Sequence, residues 1–177
     1  IGFGSVHPED PDAIEELHRI KALGLRGVKL HPDYQGFYVD EERVFPLYET
    51  IAMLGLPLVF HAGFDPYSPK VIHAPPQKIA RVADLFPNLT IICAHMGGFQ
   101  MADEAEHYLV GKKVYFDTSM AMTFLDTNRF ERICRQHGID RILFGSDCPW
   151  DTPAMERDFI EKCHFTDTEK QYMFEQN

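Results

Sequence analysis

The stretch Phe86-Pro-Asn-Leu-Thr-Ile-Ile-Cys-Ala-His-Met-Gly-Gly98 contains the repeating unit of this fold in miniature. Ahead of it, Pro76 to Phe86 places Ile79, Val82, Ala83 and Phe86 at spacings of three and four, one apolar face of a helix that Pro87 ends. Leu89 to Ala94 follows as a short apolar run, the pattern of a strand buried on both faces. Where that run stops, His95 and a glycine pair begin. A helix, a buried strand and a polar strand end succeed one another without a gap.

The same order recurs on either side. Further apolar runs cover Gly2 to Val6, Gly27 to Leu30, Pro57 to Phe60, Val114 to Phe116 and Arg141 to Phe144. Asp10-Pro11-Asp12 ahead of Ala13 to Leu17 predicts an N-cap with Pro at the first helical position, and Gly24 predicts the stop. Asn128 to His137 repeats the helical spacing before Gly138, and Thr166-x-x-Glu169 predicts a capping box. With Val6, Leu30, Phe60, Ala94, Asp117 and Ser146 as strand-end landmarks, the steps are 24, 30, 34, 23 and 29 residues. Each is one strand-plus-helix unit, and such units force a parallel sheet. Six of them fit either a doubly wound sheet or most of a (β/α)8 barrel. No Gly-x-Gly-x-x-Gly follows the first run, which removes support for a dinucleotide fold. No linker or low-complexity segment divides residues 1–177, so the reading is one domain.

Composition narrows the function. With 45% hydrophobic and 25% charged residues the chain has the proportions of an ordinary soluble globular protein. Lys and Arg total 17 against 27 acids, a net charge of -10, which argues against nucleic acid or an anionic membrane as partner. No apolar run approaches a membrane span. The four cysteines, 93, 134, 148 and 163, form no Cys-x-x-Cys pair and suggest reduced thiols in a cytoplasmic protein. The chain opens on Ile1 rather than Met and stops inside a helical pattern, so it reads as an internal piece of a longer one.

Polar residues gather where the apolar runs end: Lys29 and His31, His61, His95, Asp117 to Ser119, and Ser146 to Trp150. In a barrel the C-terminal strand ends converge on one rim. Imidazoles and a carboxylate meeting there form a set that suits a divalent metal, most often zinc, whose bound water would ionise near neutral pH. One histidine at a strand end is usually only a hydrogen-bonding partner; three with an aspartate, each closing a different strand, rarely coincide by accident. His7, His18, His73, His107, His137 and His164 lack that context and read as surface or packing residues. So do Met96, Met101, Met120 and Met122, and Phe124, Phe130 and Ile133 form a core stripe. The loops Phe64 to Pro69 and Met120 to Thr127 should shape the pocket.

Gly27-Val-Lys-Leu-His-Pro32, Leu58-Val-Phe-His-Ala-Gly63, the Phe86–Gly98 stretch and Leu143-Phe-Gly-Ser-Asp-Cys-Pro149, taken together and in order, resemble the amidohydrolase superfamily. The nearest branch is the "amidohydrolase 2" group, which includes amino-carboxymuconate-semialdehyde decarboxylase. The resemblance implies a (β/α)8 TIM barrel, with strands 3–8 in this chain, and a metal, zinc or manganese, at the rim. It implies His61 and Asp147 as metal ligands and His95 and Asp147 as the groups that move protons. Lys29, His31 and Trp150 are then placed to touch a small-molecule substrate; Lys29 could instead pair with an acid, carry a bridging carbamate or form a Schiff base. The family's first-strand His-x-His pair does not occur here. The expectation that follows is a metal-dependent hydrolase of an ester, lactone or amide, with a non-oxidative decarboxylase as alternative and a non-catalytic binding barrel as the third reading. A homo-oligomer is compatible with all three.

Overall fold

The computed structural model describes residues 1–68 and 70–177; Pro69, the last residue of the expected pocket loop, lies outside them. Five parallel strands, β1 (Val28–Leu30), β2 (Leu58–Phe60), β3 (Ile91–Cys93), β4 (Tyr115–Asp117) and β5 (Ile142–Leu143), pair in chain order. Leu30, Phe60, Cys93, Phe116 and Ile142 stand side by side in one row across all of them. That row is fully buried. The alternate residues Lys29, Val59, Ile92, Tyr115, Asp117 and Leu143 are half-buried on the other face.

The pairing order decides between the two architectures. A doubly wound sheet reverses its strand order at a switch point, and this one does not. Crossovers of one hand then lay the helices along a single face, that of the buried row. They are α1 (Ala13–Ala22), the single turn α2 (Pro32–Gln35), α3 (Phe45–Met53), α4 (Pro76–Leu85), α5 (Ala102–Tyr108), α6 (Thr127–His137), α7 (Pro153–Glu161) and α8 (Asp167–Gln171). The result is an arc of a (β/α) barrel whose other face is its interior.

The core follows the sequence periodicity. Phe130 and Ile133 of α6 are buried, and the Phe130 ring meets Phe159 of α7 at 5.1 Å. Tyr48 of α3 is buried too, its hydroxyl satisfied by the Val39 carbonyl at 2.9 Å. His137 is a packing residue, stacked on Phe116 at 3.9 Å with Nε2 on the Val114 carbonyl. Among the described residues all four cysteines are free, and no helix is long and apolar enough to cross a membrane.

Two expectations fail for local reasons. The run Gly2–Val6 forms no strand of its own; it makes one parallel bridge, Gly4 to Val28, beside β1. Its glycines give way to neighbours: the Ile20 side chain occupies the space a Gly4 Cβ would need, at 2.5 Å. Helix α1 begins at Ala13, because Asp10 spends its side chain on a turn, accepting the Asp12 N–H at 2.9 Å. The capping box is present, with Thr166 N–H on Glu169 at 2.7 Å and Glu169 N–H on Thr166 at 3.2 Å.

One contact fixes the rim. After β2 the chain meets the segment after β3 backbone to backbone: Phe99 N–H donates to Ala62 at 2.8 Å and Phe64 N–H to Phe99 at 3.0 Å. Gly63 makes this approach feasible, since its φ is +86° and a Cβ there would stand 2.4 Å from the Phe99 nitrogen. Gly63→Ala is therefore expected to cost more than ~1 kcal/mol, from the left-handed conformation and the backbone clash together. Urea unfolding of the two proteins checks it; equal midpoints would contradict the role given to this glycine.

Candidate active site

The backbone turns abruptly at the strand ends. His95, Met96, Met120 and Asp147 all have φ between 55° and 61°, a left-handed conformation that costs side-chain-bearing residues of order 1–3 kcal/mol each. These turns tip side chains toward a cavity of about 330 Å³ over the ends of β1 to β5. Lys29, His31, His61, His95, Asp147 and Trp150, the six residues singled out in the sequence, all line it. Met120, read as packing, lines it as well.

Three of its residues form a donor group. His31, His61 and Asp65 each offer an atom within 4.8 Å of the others. His31 Nε2 lies 3.2 Å from Asp65 Oδ2, and His61 Nε2 lies 4.0 Å from the same oxygen. The His31 ring is stacked between Tyr34, at 3.9 Å, and His61, at 4.2 Å. Asp65 is held by the loop it starts, accepting the N–H groups of Tyr67 at 2.7 Å and Ser68 at 3.0 Å on Oδ1. Sequence reading missed Asp65; the signal available was its place four residues after His61, in a loop expected to shape the pocket.

Hydrogen bonds behind the group determine which nitrogens carry protons. Ser119 Oγ donates to Asp117 Oδ1, so its oxygen accepts from His95 Nδ1 at 2.9 Å. His95 Nε2 is then the acceptor for His61 Nδ1–H at 3.3 Å. This assignment, read from the bonding pattern, leaves His61 Nε2 with a free lone pair. That atom is buried and has no hydrogen-bond partner, as does His31 Nδ1. Buried polar atoms without partners are uncommon and call for an explanation. A cation between His61 Nε2 and Asp65 would supply one for His61; the orphaned His31 Nδ1 is the ring nitrogen that does not face Asp65.

Electrostatics keep both imidazoles of the group neutral. Burial, reinforced by His95, His31 and Lys29, pushes His61 down to about 2. Burial and then Lys29 also lower His31, with Asp65 and Asp33 opposing. Both rings are uncharged at neutral pH. Burial lowers the Lys29 ammonium, while Asp117 and Asp147 hold it up. Asp147 faces this lysine from the cavity wall and is not in the three-residue donor group. Trp150 sits at the mouth, exposed, 5.0 Å from the Tyr67 ring. His73, read as surface or packing, anchors the loop that carries Asp65: its Nδ1 lies 2.8 Å from Asp33 at the start of α2.

Comparison with known proteins places this geometry. A family model described as "Amidohydrolase" matches residues 1–177. A TIM-barrel protein of Bordetella bronchiseptica is similar with a TM-score of 0.82 at 22% identity, over 99% of this chain and 63% of its own. 2,6-Dihydroxybenzoate decarboxylase from Rhizobium gives 0.72 at 21%, over 97% of this chain and 67% of its own. 5-Carboxyvanillate decarboxylase from Novosphingobium aromaticivorans, solved with manganese and a nitrobenzoic acid, gives 0.77 at 21%, over 98% and 61%. The chain thus spans about two thirds of the length of these structures. No curated protein sequence matches it. These likenesses share the parallel α/β barrel, and by the family match over its whole length the chain belongs to the amidohydrolase family.

Proposed function

We propose that the cavity is the active site of a metal-dependent, non-oxidative decarboxylase of an aromatic or unsaturated carboxylic acid. One observation carries the reading: Lys29 faces the same aromatic-walled cavity as an imidazole–carboxylate donor group whose His61 Nε2 is buried without a partner. The decarboxylases among the structural likenesses support it over the hydrolase. His61, His31 and Asp65 would hold the metal, with Asp147 as a further ligand or proton carrier. Manganese is preferred to zinc because the Novosphingobium enzyme was solved with manganese; the donor set itself, two imidazoles and a carboxylate, suits either ion. When bound, the ion would supply Lewis-acid stabilisation of charge developing on the substrate oxygens.

The chain's own residues do the rest. Lys29 would pair as a point charge with the substrate carboxylate, which adds to the negative field that Asp117 and Asp147 supply without a direct ion pair. Tyr67, Trp150 and Phe99 offer aromatic faces to a flat ring. Breaking the carbon–carboxylate bond leaves its electron pair on carbon, and that carbon must take a proton as carbon dioxide departs. Asp147 is the wall group placed to deliver it, since both nitrogens of His95, the other candidate, are committed to Ser119 and His61. His95 also keeps the His61 tautomer fixed through Ser119 and Asp117.

Removing a ligand tests the metal assignment. In the full-length protein, His61→Ala should weaken manganese binding on the order of 100-fold, and Asp65→Asn at least ~10-fold, with unchanged far-ultraviolet circular dichroism. Metal per chain by plasma mass spectrometry checks both; normal content in His61→Ala would overturn the site.

Carbon dioxide release from a panel of aromatic and unsaturated acids tests the reaction. Lys29→Met should lower kcat/KM by roughly 30- to 1,000-fold, about 2–4 kcal/mol for a lost charge pair. Asp147→Asn should lower turnover with the substrate still bound. Water-cleaved esters, lactones or amides, with no carbon dioxide from any acid, would return the hydrolase. A protein that binds the acids and turns over neither class would be the binding barrel.

A further inference from the structure

Away from the donor group, the chain buries two carboxyl groups against each other. Asp151 is 3% exposed and Glu156 fully buried. Asp151 Oδ1 accepts the Thr152 N–H at 2.6 Å, but Asp151 Oδ2 and both Glu156 oxygens are buried without a well-formed hydrogen bond among the described residues, the Met122 backbone being the one donor near Glu156. The basic groups of the packed elements are engaged elsewhere. On α6, Arg129 holds Asp103 and Glu106, Arg132 holds Glu106, and Arg135 holds Glu131 and Glu169. On α7, Arg157 pairs with Asp158, and Lys170 of α8 pairs with Glu161. Lys29 answers Asp117 and Asp147, and Asp117 only adds negative charge toward Glu156. Two ionised carboxylates in that surrounding would repel with only the Met122 backbone to compensate. The hydrogen that can join the two side chains is their own.

The position of the pair gives it a task. Asp151 closes the loop after β5, whose residues Asp147 and Trp150 line the cavity. Glu156 lies in the first turns of α7, which is capped by Thr152 through the Met155 N–H at 3.2 Å. Helix α7 packs on the turn Ala121–Thr123, next to the cavity residue Met120.

We propose that Asp151 and Glu156 share one proton, and that this carboxylic acid–carboxylate hydrogen bond pins the loop bearing Asp147 and Trp150 onto α7. Both are positioning residues for the cavity, whatever reaction it runs. Burial, then the bond to Asp151 and its charge, lifts Glu156 to about 8, with the Met122 backbone opposing. Because the folded state holds this proton above the ordinary 4.5, the stability it contributes is complete below that value and is lost as pH rises to about 8.

Trp150 is the sole tryptophan of residues 1–177, so the fluorescence of this chain reports on this loop. In the full chain its emission should titrate with a midpoint near 8. Glu156→Gln, which keeps a donor for Asp151, should hold the low-pH spectrum across the range. Asp151→Asn, which removes the repelling charge, should move the midpoint down by about one unit or more. A Glu156→Gln protein that titrates like the parent overturns the proposal. So does a parent without a transition between about pH 6 and 10, where a shared proton must be lost. A transition abolished by Cys148→Ser belongs to the neighbouring exposed thiol and overturns it equally.

Discussion

Asp117, the last residue of β4, fixes the protonation pattern of the rim. Its Oδ1 accepts the backbone N–H of His95 at 2.9 Å, the backbone N–H of Ser119 at 3.1 Å and the Ser119 hydroxyl. The hydroxyl, committed to the carboxylate, must accept from His95, and His95 must accept from His61. Four residues from three strand ends form one directed chain of hydrogen bonds. The chain ends at a bare Nε2 lone pair, the form of imidazole a metal binds. Reversing any link would turn a proton toward the donor group.

The same bonds hold the backbone in its unfavourable turn. His95 and Met96 sit at φ near +55°, and two of the three bonds to Asp117 involve atoms at the strand ends where the chain reverses. Beneath them lies the row Leu30, Phe60, Cys93, Phe116 and Ile142, each buried in a sheet without reversal. A rigid row of this kind can bear a few kcal/mol of local strain at its ends. Close packing of the Gly63 backbone on Phe99 then carries His61 and His95 on one continuous support.

Much of this was legible in the residues themselves. The alternation of buried and half-buried positions, and the polar residues closing each apolar run, brought Lys29, His31, His61, His95, Asp147 and Trp150 to one cavity. Periodicity reports on local structure, so it could not choose between a doubly wound sheet and a barrel; strand order, a long-range property, did. Asp65 escaped because a loop has no period to place its side chains. Asp117 and Ser119 were visible as a polar strand end, but their bonding direction needs three-dimensional neighbours. The Gly2–Val6 run has the composition of a strand, and it hydrogen-bonds beside β1 through Gly2 and Gly4 without extending into a ladder.

The central claim, that a directed chain of hydrogen bonds prepares His61 for a metal, is tested most directly at a residue that cannot itself ligate. Ser119→Ala removes the link between Asp117 and His95 and leaves the donor atoms of His31, His61 and Asp65 untouched. Its manganese dissociation constant, measured by titration beside the parent protein, should be roughly 10- to 100-fold weaker, the usual effect of losing a partner behind a ligand. An unchanged constant in a folded Ser119→Ala protein would contradict the account.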